Sequence, residues 1–379
     1  MNTTSGPLRV LYLCHADNYH IQTWSAALRR KGAQITHLTL RPKPKNDFDQ
    51  IILSKTGSQI RYWDFLTIAQ QIRRVFDKGD YDILFASFAN TYGLSAILSQ
   101  SKPVVVQTWS RDVGANSSVS PREQLMNQTI GKFVMDKADA ITTDGAHFKS
   151  HLLGIYPEFA PKTLSTGWGI DLNHFQKVLN PERETSARSR WNIPAKAPVL
   201  TSIRGIFWYY QPEIIFPALL RLLDVQTDLH ILLPTLGHPL QNSLQSQFET
   251  LNKHPRVIVF DQLLDSEEMT DLWSATDIFL SLPSFDGVAE SVQEGLFSGA
   301  VAVLNKLESN QLICGELDDV IWTDAVSPSP ESLVKTLLTA LEKHKNFDPE
   351  NQRKHIEQNW SVDVTAERLL NLFRSVSEK

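Results

Sequence analysis

The chain has 379 residues, which is enough for two domains of ordinary size. A hydrophobic content of 42% and a charged content of 21% are typical of a globular protein with substantial cores, and the formal net charge of −5 gives no support for general nucleic-acid binding. No apolar run approaches the ~20 residues that a membrane-spanning helix needs, and no signal peptide is evident, so we expect a cytoplasmic protein. Cys14 and Cys314 lie far apart without metal-ligand spacing, and we expect both thiols to be reduced and buried.

Short apolar runs alternate with amphipathic segments through the first half of the chain. The run at residues 10–14 is continuous, as a strand buried on both faces should be. Residues 21–31 follow it with helical spacing, and Gly32 ends that helix. Further strands are predicted at residues 35–40, 83–87, 104–108 and 140–143, with helices at 62–78 and 124–137. This alternation predicts a mostly parallel sheet with helices on both faces.

The same alternation returns after a polar, proline-flanked stretch at residues 176–198, which we interpret as a linker. Strands are predicted in the second half of the chain at residues 199–203, 230–233, 257–260, 278–282 and 300–304. The tail has helical periodicity with an apolar stripe. We therefore expect a first domain at residues 1–175, a second domain at 199–358 and a final helical segment at 359–379.

The segment from residue 280 to residue 303 carries the most specific chemical pattern. An apolar strand runs into a Pro/Ser/Gly loop, and a helix is predicted to begin near Glu290 and to end at Gly299. Asp286 and Glu294 are separated by seven residues across this loop and helix. A helix N-terminus offers free N–H groups and a partial positive charge to a diphosphate, while the two carboxylates accept hydrogen bonds from neutral hydroxyls. The pattern suits a nucleotide sugar, which has phosphates in the middle and polyols at both ends. The alternative is a pair of solvated acids that bind no ligand.

This segment resembles the signature of glycosyltransferase family 4, whose members are retaining enzymes of the GT-B fold. The resemblance implies an α/β protein with two doubly wound, Rossmann-like domains that face a central cleft, and a C-terminal helix that crosses back to the first domain. It also implies that Glu294 holds the ribose of the nucleotide and that Asp286 contacts the transferred sugar. Gly287 and Val288, which follow Asp286, complete this part of the predicted donor site. The usual first acid of the family is Glu, and an Asp followed by Gly is a variant of it.

Arg204, directly after the first strand of the second domain, is the other predicted donor-binding residue. In the family, an Arg at this position and a Lys a few residues later bind the diphosphate of the donor. An arginine neutralises the charge that builds on the leaving diphosphate and can hold its oxygens in a bidentate manner. Here the Lys is absent because an aromatic loop, residues 207–211, fills its place. A structural salt bridge is the alternative role for Arg204.

His20 and Asp112 of the first domain join Asp286 as predicted catalytic residues. His20 and Trp24 match part of a Ser-x-x-His-x-x-x-Trp pattern that the family has after its first strand, which places His20 where it could meet the acceptor or the sugar. Asp112 follows a predicted buried strand in a sequence that loosely resembles one of the family, and it is placed to touch the acceptor or the sugar. The alternatives are structural: a histidine that only begins a helix, and an aspartate that pairs with Arg111.

The resemblance implies a reaction that needs no metal ion and no cofactor besides the nucleotide-sugar substrate. The sugar moves from a nucleoside diphosphate to a hydroxyl of the acceptor with retention of configuration, while Arg204 and the helix that begins near Glu290 stabilise the departing phosphate. Asp-x-Asp tripeptides at residues 47–49 and 80–82 lie in positions that do not suit a metal site at the carboxyl ends of the strands. The implied acceptor is a glycan, a lipid-linked molecule or a small molecule.

Two other classes of protein stay open. A GT-B epimerase would use the same nucleotide-sugar site without an acceptor, and a binding or scaffold protein would keep the fold without activity. The missing Lys and the glycine-poor loops keep the second alternative open. The basic segment at residues 41–45 is interpreted as a solvated loop, with a weak peripheral contact at the inner face of the membrane as the alternative.

Overall fold

The structure is a computed structural model that describes residues 6–43, 48–54, 62–109, 121–235, 237 and 239–378. The chain divides into two compact units. The first unit comprises Met1–Trp168 together with Val362–Lys379, and the second comprises Gly169–Ser361. The stretch interpreted as a linker, residues 176–198, lies within the second unit, where Pro181–Arg190 forms a helix.

A seven-stranded parallel sheet forms the centre of the first unit in the part of the chain that the structure describes. Its strands are β1 (Arg9–His15), β2 (Gln34–Arg41), β3 (Asp49–Ile52), β4 (Ile83–Ser87), β5 (Val104–Gln107), β6 (Ala140–Thr143) and β7 (Thr163–Ser165). They lie in the order β3-β2-β1-β4-β5-β6-β7, so the topology switches direction between β1 and β4. The predicted parallel sheet is confirmed, and β3 and β7 are short edge strands that the sequence analysis did not predict.

Helices connect the strands of the first unit, as the alternation predicts. They are α1 (Tyr19–Arg30), α2 (Tyr62–Gly79), α3 (Leu94–Ser99), α4 (Pro121–Lys137) and α5 (Ala146–Ile155). Asn18 caps the first of them, since its side chain accepts a hydrogen bond from the backbone N–H of Ile21. A short π-helical segment, Phe88–Gly93, follows β4 directly.

The second unit repeats this architecture with six parallel strands among the described residues. They are β8 (Val199–Ser202), β9 (His230–Pro234), β10 (Val257–Phe260), β11 (Ile278–Ser281), β12 (Val301–Leu304) and β13 (Ile321–Trp322). Their order is β10-β9-β8-β11-β12-β13, which places the topological switch between β8 and β11. β8, β11 and β12 are fully buried, which explains their continuous apolar sequences.

Nine helices surround the second sheet in the described part of this unit. They are α6 (Leu172–Phe175), α7 (Pro181–Arg190), α8 (Pro212–Val225), α9 (Gln245–Lys253), α10 (Ser266–Ala275), α11 (Glu290–Ser298), α12 (Glu308–Cys314), α13 (Pro330–His344) and α14 (Glu350–Asn359). The helix predicted to begin near Glu290 and to end at Gly299 is thus confirmed as α11.

The last helix, α15 (Val362–Ser377), returns to the first unit and packs against α1. Arg30 of α1 forms an ion pair of 3.1 Å with Asp363, and the buried ring of Phe373 meets Phe85 of β4 edge-on at 5.1 Å between centroids. The C-terminal helix that was expected to cross back to the first domain is therefore confirmed. Within the described ranges, every helix is too short or too polar to cross a membrane.

Candidate functional site

The candidate donor site lies at the topological switch of the second sheet. Leu280 of β11 lies beside Ser202 of β8 in parallel register, so the segments that follow these two strands leave the sheet at the same edge. The segment after β8 carries Arg204, and the segment after β11 carries Asp286. In doubly wound sheets, ligands bind beyond the carboxyl ends of the strands at such a switch point.

Arg204 connects three segments of this edge. Its Nη2 donates to Asp286 Oδ2 and, over 3.1 Å, to the hydroxyl of Tyr210. Its Nη1 donates, over 2.9 Å, to the hydroxyl oxygen of Ser291, a residue in the first turn of α11. The guanidinium carbon also lies 4.9 Å from the centre of the Tyr210 ring. The fork of the guanidinium therefore holds the two loops and the helix start in one arrangement.

Burial and charge act in opposite directions on this cluster. Burial alone disfavours the charged guanidinium, but the attraction of Asp286 and of the neighbouring tyrosines outweighs it and raises the pKa of Arg204 above its usual value. Burial raises the pKa of Tyr210 as well, and the carboxylate of Asp286 adds to that shift, although Arg204 opposes it. The site thus keeps a charged arginine beside a neutral phenol at ordinary pH.

The aromatic loop that replaces the expected Lys is braced against the loop after β11. Ser284 donates its backbone N–H to the carbonyl of Tyr209 at 2.7 Å and its hydroxyl to the same carbonyl at 3.0 Å. Gln211 donates its side-chain amide to the carbonyl of Leu282 at 2.7 Å. Trp208 in the first loop and Phe285 in the second leave 48% and 47% of their surface exposed. Two exposed aromatic side chains therefore accompany the buried arginine.

Helix α11 begins directly behind Asp286. Its N-cap residue, Ala289, provides no side-chain hydrogen bond, so the first backbone N–H groups of the helix are not capped by that side chain. The backbone N–H of Gly287 donates to Asp286 Oδ1 at 2.9 Å. Val288 is 4% exposed and its side chain belongs to the apolar core, so only its backbone is suited to a ligand contact.

Two glycines fix the position of α11 against the sheet. A Cβ atom at Gly295 would lie 2.7 Å from the buried ring of Phe279 in β11, so the helix approaches the strand too closely for a larger residue. Gly299 ends the helix with φ of 94°, a left-handed conformation that glycine adopts without strain.

Glu294 lies one turn further along α11 and contacts a residue that the sequence analysis missed. Its Oε2 accepts a hydrogen bond of 2.9 Å from the indole Nε1 of Trp273 in α10. Trp273 is 1% exposed. A tryptophan on an amphipathic helix is ordinarily interpreted as core, and nothing in the sequence distinguishes this one because its partner lies on another helix.

In the first unit, His20 lies in the first turn of α1, at the carboxyl edge of the sheet. Its ring lies 5.0 Å from the ring of Trp168, whose carbonyl accepts a hydrogen bond of 2.7 Å from Trp24 Nε1. The predicted pair His20 and Trp24 is thus brought together around Trp168. Asp112 and Arg111 lie outside the described residues.

The same edge carries an aromatic row that the sequence analysis also missed. The rings of Phe88 and Trp109 stack at 4.9 Å, and Trp109 lies 4.8 Å from Trp168. Phe88, which follows β4 at the switch of the first sheet, has φ of 66°, an unusual value for a bulky residue. Such strained backbone is often found at functional sites.

Among the described residues, no group of three or more His, Cys, Asp or Glu side chains is placed to hold a metal ion. Asp80 and Asp82 of the second Asp-x-Asp tripeptide both contact Arg9, at the amino edge of the first sheet.

Comparison with known families and proteins places these features in context. Residues 9–145 match the family model described as Glycosyl transferase 4-like. The Bacillus subtilis (strain 168) protein named "Putative glycosyltransferase YtcC" is 21% identical over 266 residues, which are 67% of this chain. The chain covers 64% of the length of that relative. The family resemblance is confirmed, although the matched segment lies in the first unit and the motif that suggested it lies in the second.

Solved structures confirm the GT-B fold for nearly the whole chain. A glycosyltransferase from Rickettsia africae ESF-5 superposes with a TM-score of 0.78 at 13% identity, covering 98% of this chain and 99% of its own. The structure of Anabaena HepE in complex with UDP-glucose superposes with a TM-score of 0.72 at 13% identity, covering 97% of this chain and 100% of its own. At this level of identity, the likeness shows the fold alone.

Proposed function

Residues 9–145 belong to the glycosyl transferase 4-like family, and from this premise we propose that the protein transfers a sugar from a nucleoside-diphosphate sugar to a hydroxyl group of an acceptor. We further propose that the reaction retains the configuration of the sugar and needs no metal ion. The chemistry of the second unit's carboxyl edge supports the donor side of this proposal, and the acceptor class stays with a glycan, a lipid-linked molecule or a small molecule.

One observation carries the proposal: a buried arginine and a helix start whose N-cap residue provides no side-chain hydrogen bond lie together at the switch point of the second sheet. Arg204 contacts Ser291 in the first turn of α11 at 2.9 Å. The helix start offers backbone N–H groups and a partial positive charge, and Arg204 adds a full positive charge. A diphosphate bound here would meet both, and the negative charge that builds on it as the sugar leaves would be stabilised by both.

Arg204 keeps N–H groups for this purpose, because the hydrogen bonds to Ser291, Tyr210 and Asp286 use three of the five that a guanidinium carries. Its Nε is buried and makes no hydrogen bond to any described residue, whereas both terminal nitrogens are engaged. A buried N–H without a partner costs free energy of about 1–3 kcal/mol, which a phosphate oxygen would recover. Asp286 has two roles in the proposal. It holds the guanidinium of Arg204 in place, and it contacts the sugar that is transferred.

The remaining predicted residues have these roles in the proposal. The carboxylate of Glu294 accepts hydrogen bonds from the ribose hydroxyls, as acidic side chains do in other doubly wound nucleotide sites. Gly287 and the backbone of Val288 line the donor beside Asp286. His20 and Asp112 are assigned to the acceptor. The leaving phosphate assists deprotonation of the acceptor hydroxyl, so no enzymatic nucleophile is required.

A thermal-shift panel of nucleoside diphosphates and their sugars, beginning with UDP and UDP-glucose, tests the donor site. A nucleotide at 100 times its Kd should stabilise the wild-type protein by roughly 2.7 kcal/mol. Arg204→Ala should abolish this stabilisation. Arg221→Ala should retain it, since Arg221 also pairs with a carboxylate of the second unit, Glu331, but on the surface. Stabilisation by no nucleotide, or equal stabilisation of both variants and wild type, would count against the proposed function.

Product analysis separates the proposed transfer from the two alternative classes. A transferase releases the nucleoside diphosphate only as sugar appears on an added acceptor, while an epimerase changes the sugar of the donor without any acceptor. A scaffold protein would bind the nucleotide and turn over nothing.

A further inference from the structure

We propose that Trp273 is a positioning residue that orients Glu294 for the ribose, and that the protein therefore discriminates ribonucleotide donors from those without 2′- and 3′-hydroxyl groups. The inference rests on the proposed function, since it concerns the same donor site. It starts from the hydrogen bond of 2.9 Å between the indole Nε1 of Trp273 and Glu294 Oε2.

The indole is held rigidly where this bond needs it. Trp273 is 1% exposed, and its ring meets the ring of Phe279 in β11 edge-on at 5.6 Å and 88°. The ring of Phe279 also contacts Gly295, where a Cβ atom would come within 2.7 Å of the ring. Gly295 directly follows Glu294 in α11. The contacts of Phe279 with Trp273 and Gly295 therefore pack α10, β11 and α11 tightly together. This packing fixes the backbone of α11 at Glu294.

The N-terminus of α10 is capped by side chains. Asp265 accepts hydrogen bonds from the backbone N–H groups of Glu267 and Glu268, and the side chain of Glu268 accepts one from the N–H of Asp265, which is a complete capping box. The helix that presents the indole is thus fixed at its N-terminus as well as through its core contacts.

The type of hydrogen-bond donor that contacts Glu294 matters for what this carboxylate can bind. An indole N–H can only donate, and it carries no charge. It orients the carboxylate without neutralising it, whereas an arginine in the same place would form an ion pair and compete with a ligand. A carboxylate fixed in this way is an anionic acceptor of defined direction, which suits the two hydroxyls of a ribose. Because its orientation is set in advance, binding loses less side-chain entropy.

The test is a comparison of two nucleotides on two tryptophan variants. Calorimetry gives the Kd of UDP and of 2′,3′-dideoxyuridine 5′-diphosphate for wild type, Trp273→Phe and Trp360→Phe. Trp360 is the matched control, because it is also buried in the second unit and its Nε1 also donates one hydrogen bond, of 3.0 Å, to the carbonyl of Ile313. If ADP rather than UDP binds the wild-type protein, the corresponding adenosine nucleotides are used.

We expect Trp273→Phe to weaken UDP binding about tenfold, or about 1.4 kcal/mol, and to leave the Kd of the dideoxy nucleotide unchanged. The weakening should disappear with the hydroxyls because it acts through Glu294 and the ribose. Trp360→Phe should change neither Kd. A purely structural role of Trp273 would weaken both nucleotides alike, and this result would overturn the inference, as would an unchanged Kd of UDP.

Failure of the proposed function has a different signature, namely a wild-type protein that binds none of the nucleotides. If Trp273→Phe does not fold, the indole of residue 273 is replaced by a benzothiophene, which keeps the bicyclic volume and loses only the N–H. This variant should then bind UDP about tenfold more weakly than the wild-type protein and should bind the dideoxy nucleotide with an unchanged Kd.

Discussion

The carboxyl edges of the two sheets occupy the same topological place but differ in their chemistry. In the second unit, the edge at β8 and β11 combines a buried ion pair, Arg204 with Asp286, with an aromatic loop at residues 207–210. In the first unit, the edge near β1 and β4 is built from stacked rings, with Phe88 against Trp109 at 4.9 Å and Trp109 against Trp168 at 4.8 Å. The sheet topology therefore decides where a site forms, while the loops after the strands decide what it can bind.

This difference agrees with the division of labour in the proposed function. A diphosphate requires positive charge and backbone N–H groups, which the second edge supplies. Aromatic rings offer flat apolar faces, which suit the ring of a sugar or another apolar surface more than they suit a phosphate.

The largest expected effect concerns a buried ionisable group of the first unit. His37 in β2 is fully buried, its Nε2 lies 2.8 Å from Ser25 Oγ, and burial, with the nearby charge of Arg29, lowers the pKa of His37 to about 4. The folded protein thus keeps this ring neutral where the unfolded chain, with a pKa near 6.5, takes up a proton. Stability is present above about pH 6.5 and should be lost as the pH falls from about 6.5 to about 4, by about 3 kcal/mol in all.

Urea unfolding of the wild-type protein and of His37→Gln at pH 7 and pH 5 measures this effect. Glutamine can still bond to Ser25 but does not titrate, so the variant should lose less stability on acidification than the wild-type protein. An identical loss in both proteins would show that other groups are responsible. Arg204 of the second unit is paired with Asp286, which helps to raise its pKa, so it stays charged throughout this range.

An intermediate effect is expected where α11 meets β11 in the second unit. Gly295→Ala should reduce the free energy of unfolding by about 1–3 kcal/mol, because the new methyl group would meet the fully buried ring of Phe279 at 2.7 Å. Gly154→Ala in α5 of the first unit is the matched control. No heavy atom lies within 4 Å of its added Cβ, so this change should be neutral or stabilise the helix by up to about 1 kcal/mol.

Chemical denaturation of both variants measures the contrast. A Gly295→Ala protein as stable as the wild type would mean that α11 can move away from β11 without loss of stability. In that case α11 would not hold Glu294 in a fixed position.

The smallest expected effect is a null result in the first unit. His20→Ala should change the Kd of UDP by less than about twofold, because the diphosphate and ribose contacts are proposed to lie on the second unit alone. The loss of the ring contact with Trp168, at 5.0 Å, should cost stability of about 0.5–1.5 kcal/mol at most. Calorimetry with UDP checks the first value. A tenfold weaker Kd would break the comparison, since it would assign part of the donor site to the aromatic edge.

The sequence predicted most of the fold because the information is local. Continuous apolar runs such as residues 10–14 and 278–282 are typical of buried strands, and the helix from Glu290 to Gly299 has both its start and its glycine stop in the sequence. The strands β7 and β13 were missed because they have three and two residues, too few for a pattern, and β3 was missed because half of its sequence, DQII, is polar. Their strand conformation depends on a neighbour already in the sheet.

The sequence also singled out Arg204, Asp286 and Glu294 as candidates, because they match the family's motifs after buried strands and on a helix. Only the tertiary structure decided which groups they contact. It paired Arg204 with Asp286, 82 positions apart, and it set the indole of Trp273 against Glu294, 21 positions away on another helix. The reason is physical: periodicity reports which side of an element is buried, whereas a hydrogen bond between two elements depends on how they pack, and that is fixed only when the sheet and its helices come together.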